Sequence, residues 1–88
     1  MAYKVELSKR AQRDLAGLEK ADRDRVVLVL RTLESEPRPD GCRKLKGKHD
    51  GSYRVRAGSD FRVVYDVNDS VRSVLVLRIG NRREVYAR

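Results

Sequence analysis

The sequence predicts an α+β fold in a single domain spanning residues 1–88: an N-terminal strand, a two-helix hairpin, then a three- to four-stranded, mainly antiparallel sheet. Three observations carry this. Apolar residues recur at steps of three and four between Ser8 and Leu33, and the period changes to two from Ser52 onward. Turn residues punctuate the second half at Gly58-Ser59-Asp60, Asn68-Asp69-Ser70 and Gly80-Asn81. The chain has 88 residues, 40% hydrophobic and 39% charged, enough apolar surface for a thin two-layer core and too short for two domains.

Tyr3-Lys4-Val5-Glu6-Leu7 alternates and reads as a short strand with Tyr3, Val5 and Leu7 inward. Ser8 is an N-cap for a first helix whose stripe is Ala11, Leu15 and Leu18, ending between Gly17 and Lys20. Asp22 is the expected cap of a second helix, with Val26, Val29, Leu30 and Leu33 buried, until Pro37 and Pro39 stop it. Arg38 to Gly51 is a basic loop with a short extended piece at Arg43-Lys44-Leu45. Strands follow at 52–57, 61–67 and 72–79, the last nearly all apolar as a central strand would be. Arg82 to Tyr86 closes the chain as an extended segment.

Several classes of function fall away. The longest aliphatic run, Val26 to Leu30, is five residues against the roughly 20 that a membrane-spanning helix needs. No secretory or lipidation signal is recognisable at the N-terminus, so a cytoplasmic location is expected, with no membrane partner. A lone cysteine, Cys42, excludes an internal disulfide and is read as an incidental loop thiol. His49 is the only histidine, which excludes paired-histidine chemistry, and the scattered glycines form no phosphate-cradling loop. No metal site and no cofactor are expected.

Charge points to a polyanion. Residues 1–40 hold nine basic and eight acidic side chains, whereas residues 41–88 hold twelve and five. A surface so biased attracts nucleic acid or an acidic protein. If Tyr53, Val55, Phe61, Val63 and Tyr65 face the helices, period two sends Arg54, Arg56 and Arg62 to the opposite, open face. Like charges on adjacent strands oppose folding, so this trio marks a place for anions. Arginine grips phosphate bidentately and stays charged, but its high pKa makes it a poor base. Tyr86 has three readings: handling a proton, stacking on a base, or packing on the sheet edge.

The series Arg43-Lys44-Leu45-Lys46-Gly47, Gly51-Ser52-Tyr53-Arg54-Val55-Arg56, Phe61-Arg62-Val63-Val64-Tyr65, Val74 to Gly80 and Asn81-Arg82-Arg83-Glu84-Val85-Tyr86 resembles the RelE branch of the RelE/ParE toxin superfamily. The resemblance runs end to end and implies the RelE-like β-α-α-β-β-β fold. It also implies the toxin of a type II toxin–antitoxin system, a metal-independent endoribonuclease that cuts mRNA in the ribosomal A site by 2′-hydroxyl attack. Carried over by position, Arg54 and Arg56 match two basic sites often held by lysine, and Arg62 matches the arginine on the scissile phosphate. Arg82 and Tyr86 match the C-terminal pair implicated in acid catalysis and base orientation. The cations Arg43, Lys44, Lys46, Lys48, Arg78 and Arg83 are the expected RNA or ribosome contacts. Arginine in place of lysine at Arg54 and Arg56 leaves the general base open, with Tyr86 as one candidate.

The same resemblance implies a cognate antitoxin, the ribosome and mRNA as partners, and a higher-order complex that binds operator DNA through the antitoxin. Two rival readings stand beside it. One is a ParE-like, non-nucleolytic inhibitor of DNA gyrase on the same fold; the other is a non-catalytic module that binds only antitoxin or nucleic acid.

Overall fold

Ser8 marks the point where the chain leaves its first strand and begins to coil. In the computed structural model, which describes residues 2–46 and 51–81, β1 (Lys4–Leu7) ends just before this residue and α1 (Lys9–Ala16) starts after it. The Ser8 hydroxyl accepts the Ala11 N–H at 3.0 Å, the expected cap, and donates to the Leu77 carbonyl at 3.1 Å. Gly17 closes α1, and α2 (Lys20–Ser35) follows almost at once.

The second helix begins earlier than expected. Its N-cap is Glu19, held in extended backbone without a side-chain cap bond, so Asp22 lies in the first turn rather than at the cap. There Asp22 pairs with Arg25 at 3.2 Å and sits at the positive end of the helix dipole, which a carboxylate stabilises equally well from within that turn. Val26, Leu30 and Leu33 are buried as expected, and the helix stops two residues before Pro37.

Among the described residues five strands form one sheet in the order β1-β5-β4-β3-β2, adding β2 (Arg43–Lys44), β3 (Tyr53–Ala57), β4 (Phe61–Asn68) and β5 (Ser73–Asn81) to β1. All neighbours are antiparallel except β1 and β5, which run parallel with Val5 opposite Val74. The helices cover one face: α1 lies on β5, and α2 on β1, β3 and β4. Between them a core forms from Ala11, Val26, Leu30 and Leu33 below and Val55, Ala57, Val63, Tyr65, Val74, Val76 and Ile79 above. The extended segment expected at 82–86 lies outside the described residues.

One irregularity decides which way the end of β5 faces. Val64 pairs with Arg78 and Tyr65 with Val76, so Leu77 is an extra residue without a register partner. A bulge of this kind moves every later side chain to the other face. Val74 and Val76 therefore face the helices, and so does Ile79, while Arg78 shares the face of Val64.

Candidate nucleic-acid interface

Register, rather than spacing alone, assembles the basic side chains. Arg43 on β2 stands directly opposite Arg54 on β3, and Arg56 on β3 directly opposite Arg62 on β4. Opposed residues in an antiparallel pair share a face, so Arg43, Arg54, Arg56 and Arg62 lie together on the side away from the helices. Arg54, Arg56 and Arg62 thus share the face that alternation predicted, and Arg43 joins them. Gly80, opposite Arg62 on β5, adds no side chain there.

This face is less open than period two suggested. Val64 is fully buried and Arg62 is only 7% exposed. The Arg62 guanidinium turns back along its own hairpin, its Nη1 donating to the carbonyls of Phe61 at 3.2 Å and Ser59 at 3.4 Å. Arg43 and Arg56 are exposed and Arg54 is half-buried, and among the described residues none of the three has an ion pair or side-chain hydrogen bond. The nearby carboxylate of Asp66 accepts a hydrogen bond from Ser52 and neutralises none of them.

Arg78, expected as an RNA or ribosome contact, is engaged within the fold. Its Nε donates to Asp14 Oδ2 on α1 at 3.1 Å, and the same oxygen accepts the Ile79 N–H at 2.9 Å. With exposures of 17% and 13%, this pair ties α1 to the stretch of β5 beyond the end of β1. Lys44 and Lys46 are exposed near the β2 edge. Lys48, Arg82, Arg83 and Tyr86 lie outside the described residues.

Sequence reasoning missed a second cluster at the other end of the sheet. Arg38 grips Asp69 with both terminal nitrogens, at 2.9 and 3.2 Å, and donates to the Tyr53 hydroxyl from Nε while lying over that ring. Tyr3 donates to the same carboxylate at 2.7 Å. Tyr53 stacks on Tyr65, whose hydroxyl donates to the Pro37 carbonyl. The hydrogen bonds from Arg38 and then Tyr3 hold the Asp69 carboxyl below its usual range. Burial, then the neighbouring Cys42, pushes the Tyr65 phenol up. These contacts anchor the start of the loop that delivers Arg43 to β3. The strands and loops that supply them are too far apart in the chain for any local pattern to reveal them.

The described helices include none long and apolar enough to cross a membrane, and the described residues bring no three His, Cys, Asp or Glu side chains together as a metal site would need.

Comparison with known proteins agrees with this architecture. Residues 5–86 match the family described as the ParE toxin of type II toxin–antitoxin system, parDE. A curated relative from Methanocaldococcus jannaschii, which carries the toxin name RelE1, is 34% identical over 89 residues, spanning 98% of this chain and 97% of its own. The RelE of an archaeal RelE–RelB complex from Pyrococcus horikoshii OT3 is 35% identical with a TM-score of 0.79, covering 93% of this chain and 97% of that one. The isolated E. coli RelE toxin is 30% identical with a TM-score of 0.76, covering 97% and 92%. The chain belongs to the RelE/ParE family and is a toxin of the type II toxin–antitoxin class.

Proposed function

We propose that this toxin is a ribosome-dependent endoribonuclease that cleaves mRNA in the A site. The observation that carries the reading is the arginine face, where Arg54 and Arg56 project beside Arg62 with no counter-ion among the described residues. In the reaction the 2′-oxygen attacks the scissile phosphorus, the bond to the 5′-oxygen breaks, and a 2′,3′-cyclic phosphate and a 5′-hydroxyl result. Charge builds on the phosphoryl oxygens, and fixed guanidinium groups stabilise it. Arg56 and Arg62 take that role; Arg62 exchanges its carbonyl contacts for the phosphate. Arg82 serves the leaving oxygen and Tyr86 orients the nucleotide or takes the 2′-proton. Lys44, Lys46, Lys48 and Arg83 steer the chain to the ribosome.

The partner in the resting state is a cognate antitoxin whose acidic segment covers the basic half, as RelB accompanies RelE in the archaeal complex. The complex binds operator DNA through the antitoxin, and the toxin acts in the cytoplasm. Primer extension on cellular mRNA after induction tests the nuclease: codon-linked cuts are expected, and they vanish in Arg56→Ala. Growth arrest with intact transcripts would refute it. The family match to ParE supports one rival, gyrase inhibition. A supercoiling assay inhibited by the purified chain would favour that rival.

A further inference from the structure

Two opposed arginine pairs, rather than one cluster, make up the basic face. Arg43 with Arg54 forms one, across β2 and β3; Arg56 with Arg62 forms the other, across β3 and β4. Arg54 and Arg56 are two residues apart on one strand, a step of about 6.7 Å. That step is comparable to the separation of neighbouring phosphates along a single RNA strand. A depression of about 390 Å³ lies between Arg43, Arg54 and Arg56, bounded by Asp40, Gly41 and Val55. It opens where β2 ends, because β2 pairs with β3 only through Arg43 and Lys44 and the outer edge of β3 continues past it.

We propose that the Arg43–Arg54 pair is a second phosphate seat, holding the phosphodiester next to the scissile one while Arg56 and Arg62 hold the scissile group. The identity of the polyanion rests on the nuclease reading; the two-seat geometry does not. Placing two guanidinium groups opposite each other with no acid between them costs folding free energy, and a bound phosphate removes that cost. Arg43 is exposed and Arg54 half-buried, and neither has an ion pair or side-chain hydrogen bond among the described residues. Asp40 lines the same depression without pairing to any of the three arginines, and its carboxylate works against an anion there. The seat is thus tuned below its full affinity, as suits a chain that must let go of a cut message. In this assignment Arg54 binds and positions, and proton transfer belongs to other groups.

The test is a coupling measurement on the full chain. The probe is a 2′-O-methyl trinucleotide, which cannot be cleaved, carrying two phosphodiesters. Analogues replace one or the other linkage by a neutral methylphosphonate. Neutralising one particular linkage is expected to weaken binding to the wild-type chain roughly tenfold. Arg43→Gln is expected to weaken binding of the charged probe by a similar factor, and the two changes together by no more than either alone. The slope of log K against log salt falls by about 0.7 in Arg43→Gln, the share of one phosphate contact on a single strand. Asp40→Asn tightens binding. Multiplying losses, an unchanged salt slope, or a neutral effect of Asp40→Asn would each overturn the second seat. Cleavage of ribosome-bound mRNA is measured in parallel on the wild-type chain. Coupling without cleavage would leave the seat standing and refute the nuclease; cleavage without coupling would do the reverse.

Discussion

Ser8 illustrates how much one short side chain holds in place. Its hydroxyl caps α1 through the Ala11 N–H and satisfies the carbonyl of Leu77, the extra residue that bends β5. Ser8→Ala removes both bonds and is expected to cost about 1–3 kcal/mol, read from the urea midpoint. Asp69 gives a pH-dependent case. Its folded pKa is depressed by Arg38 and Tyr3, so its contribution is complete above the unfolded carboxyl value and is lost as pH falls through the folded one. Asp69→Asn should therefore unfold more readily than wild type at neutral pH, and the two should converge in acid; a gap that persists at low pH would show that the ion pair is not its source. The residues on the basic face were legible in part. Alternation placed Arg54, Arg56 and Arg62 together, since period two needs no knowledge of partners. It could not show that Arg62 folds back on its own hairpin, nor that Arg38, Tyr53, Asp69 and Tyr3 meet, because those contacts depend on tertiary approach.

At the scale of elements, the strands and helices follow from hydrophobic period, whereas their pairing does not. A strand such as Val74 to Ile79, apolar at almost every position, carries no phase, and the bulge at Leu77 becomes visible only against its partner β4. For the same reason Arg78 read as a surface cation from the sequence, yet pairs with Asp14 on α1. Arg43 likewise sits in a strand of two residues, too short for a period, so its opposition to Arg54 was not legible. The Asp14–Arg78 pair offers a test of what joins α1 to the end of β5. Asp14→Ala removes one acceptor from a mostly buried guanidinium and takes away the acceptor of the Ile79 N–H. With the pair slightly exposed, the expected loss is about 2–3 kcal/mol, below that for a fully buried pair. Asp14→Asn keeps an acceptor for the N–H and should recover part of the loss. Equal losses in the two variants would assign the whole effect to the charge. Amide exchange at Ile79 checks the location, since its protection should fall further in the alanine variant.

Across the whole molecule, charge separates into two populations. Arg25, Arg38 and Arg78 are engaged by acids, and they brace helix, loop and strand end. Arg43, Arg54 and Arg56 are held opposite other arginines or beside them, an arrangement that stability alone would not select. If that face exists for an RNA backbone, activity and stability must respond in opposite directions when one of its charges is removed. Arg56→Ala is the sharpest case, because Arg56 is exposed, has no ion pair or side-chain hydrogen bond among the described residues, and stands across from Arg62. Relief of like-charge opposition should leave the urea midpoint unchanged or raise stability by about 0.2–1 kcal/mol. Single-turnover cleavage of mRNA on programmed ribosomes should fall about 10²-fold, as it does when one fixed donor to a developing anion is lost. A variant that lost activity and stability together would mark Arg56 as part of the scaffold. One that kept both would place the reacting phosphate elsewhere on the protein.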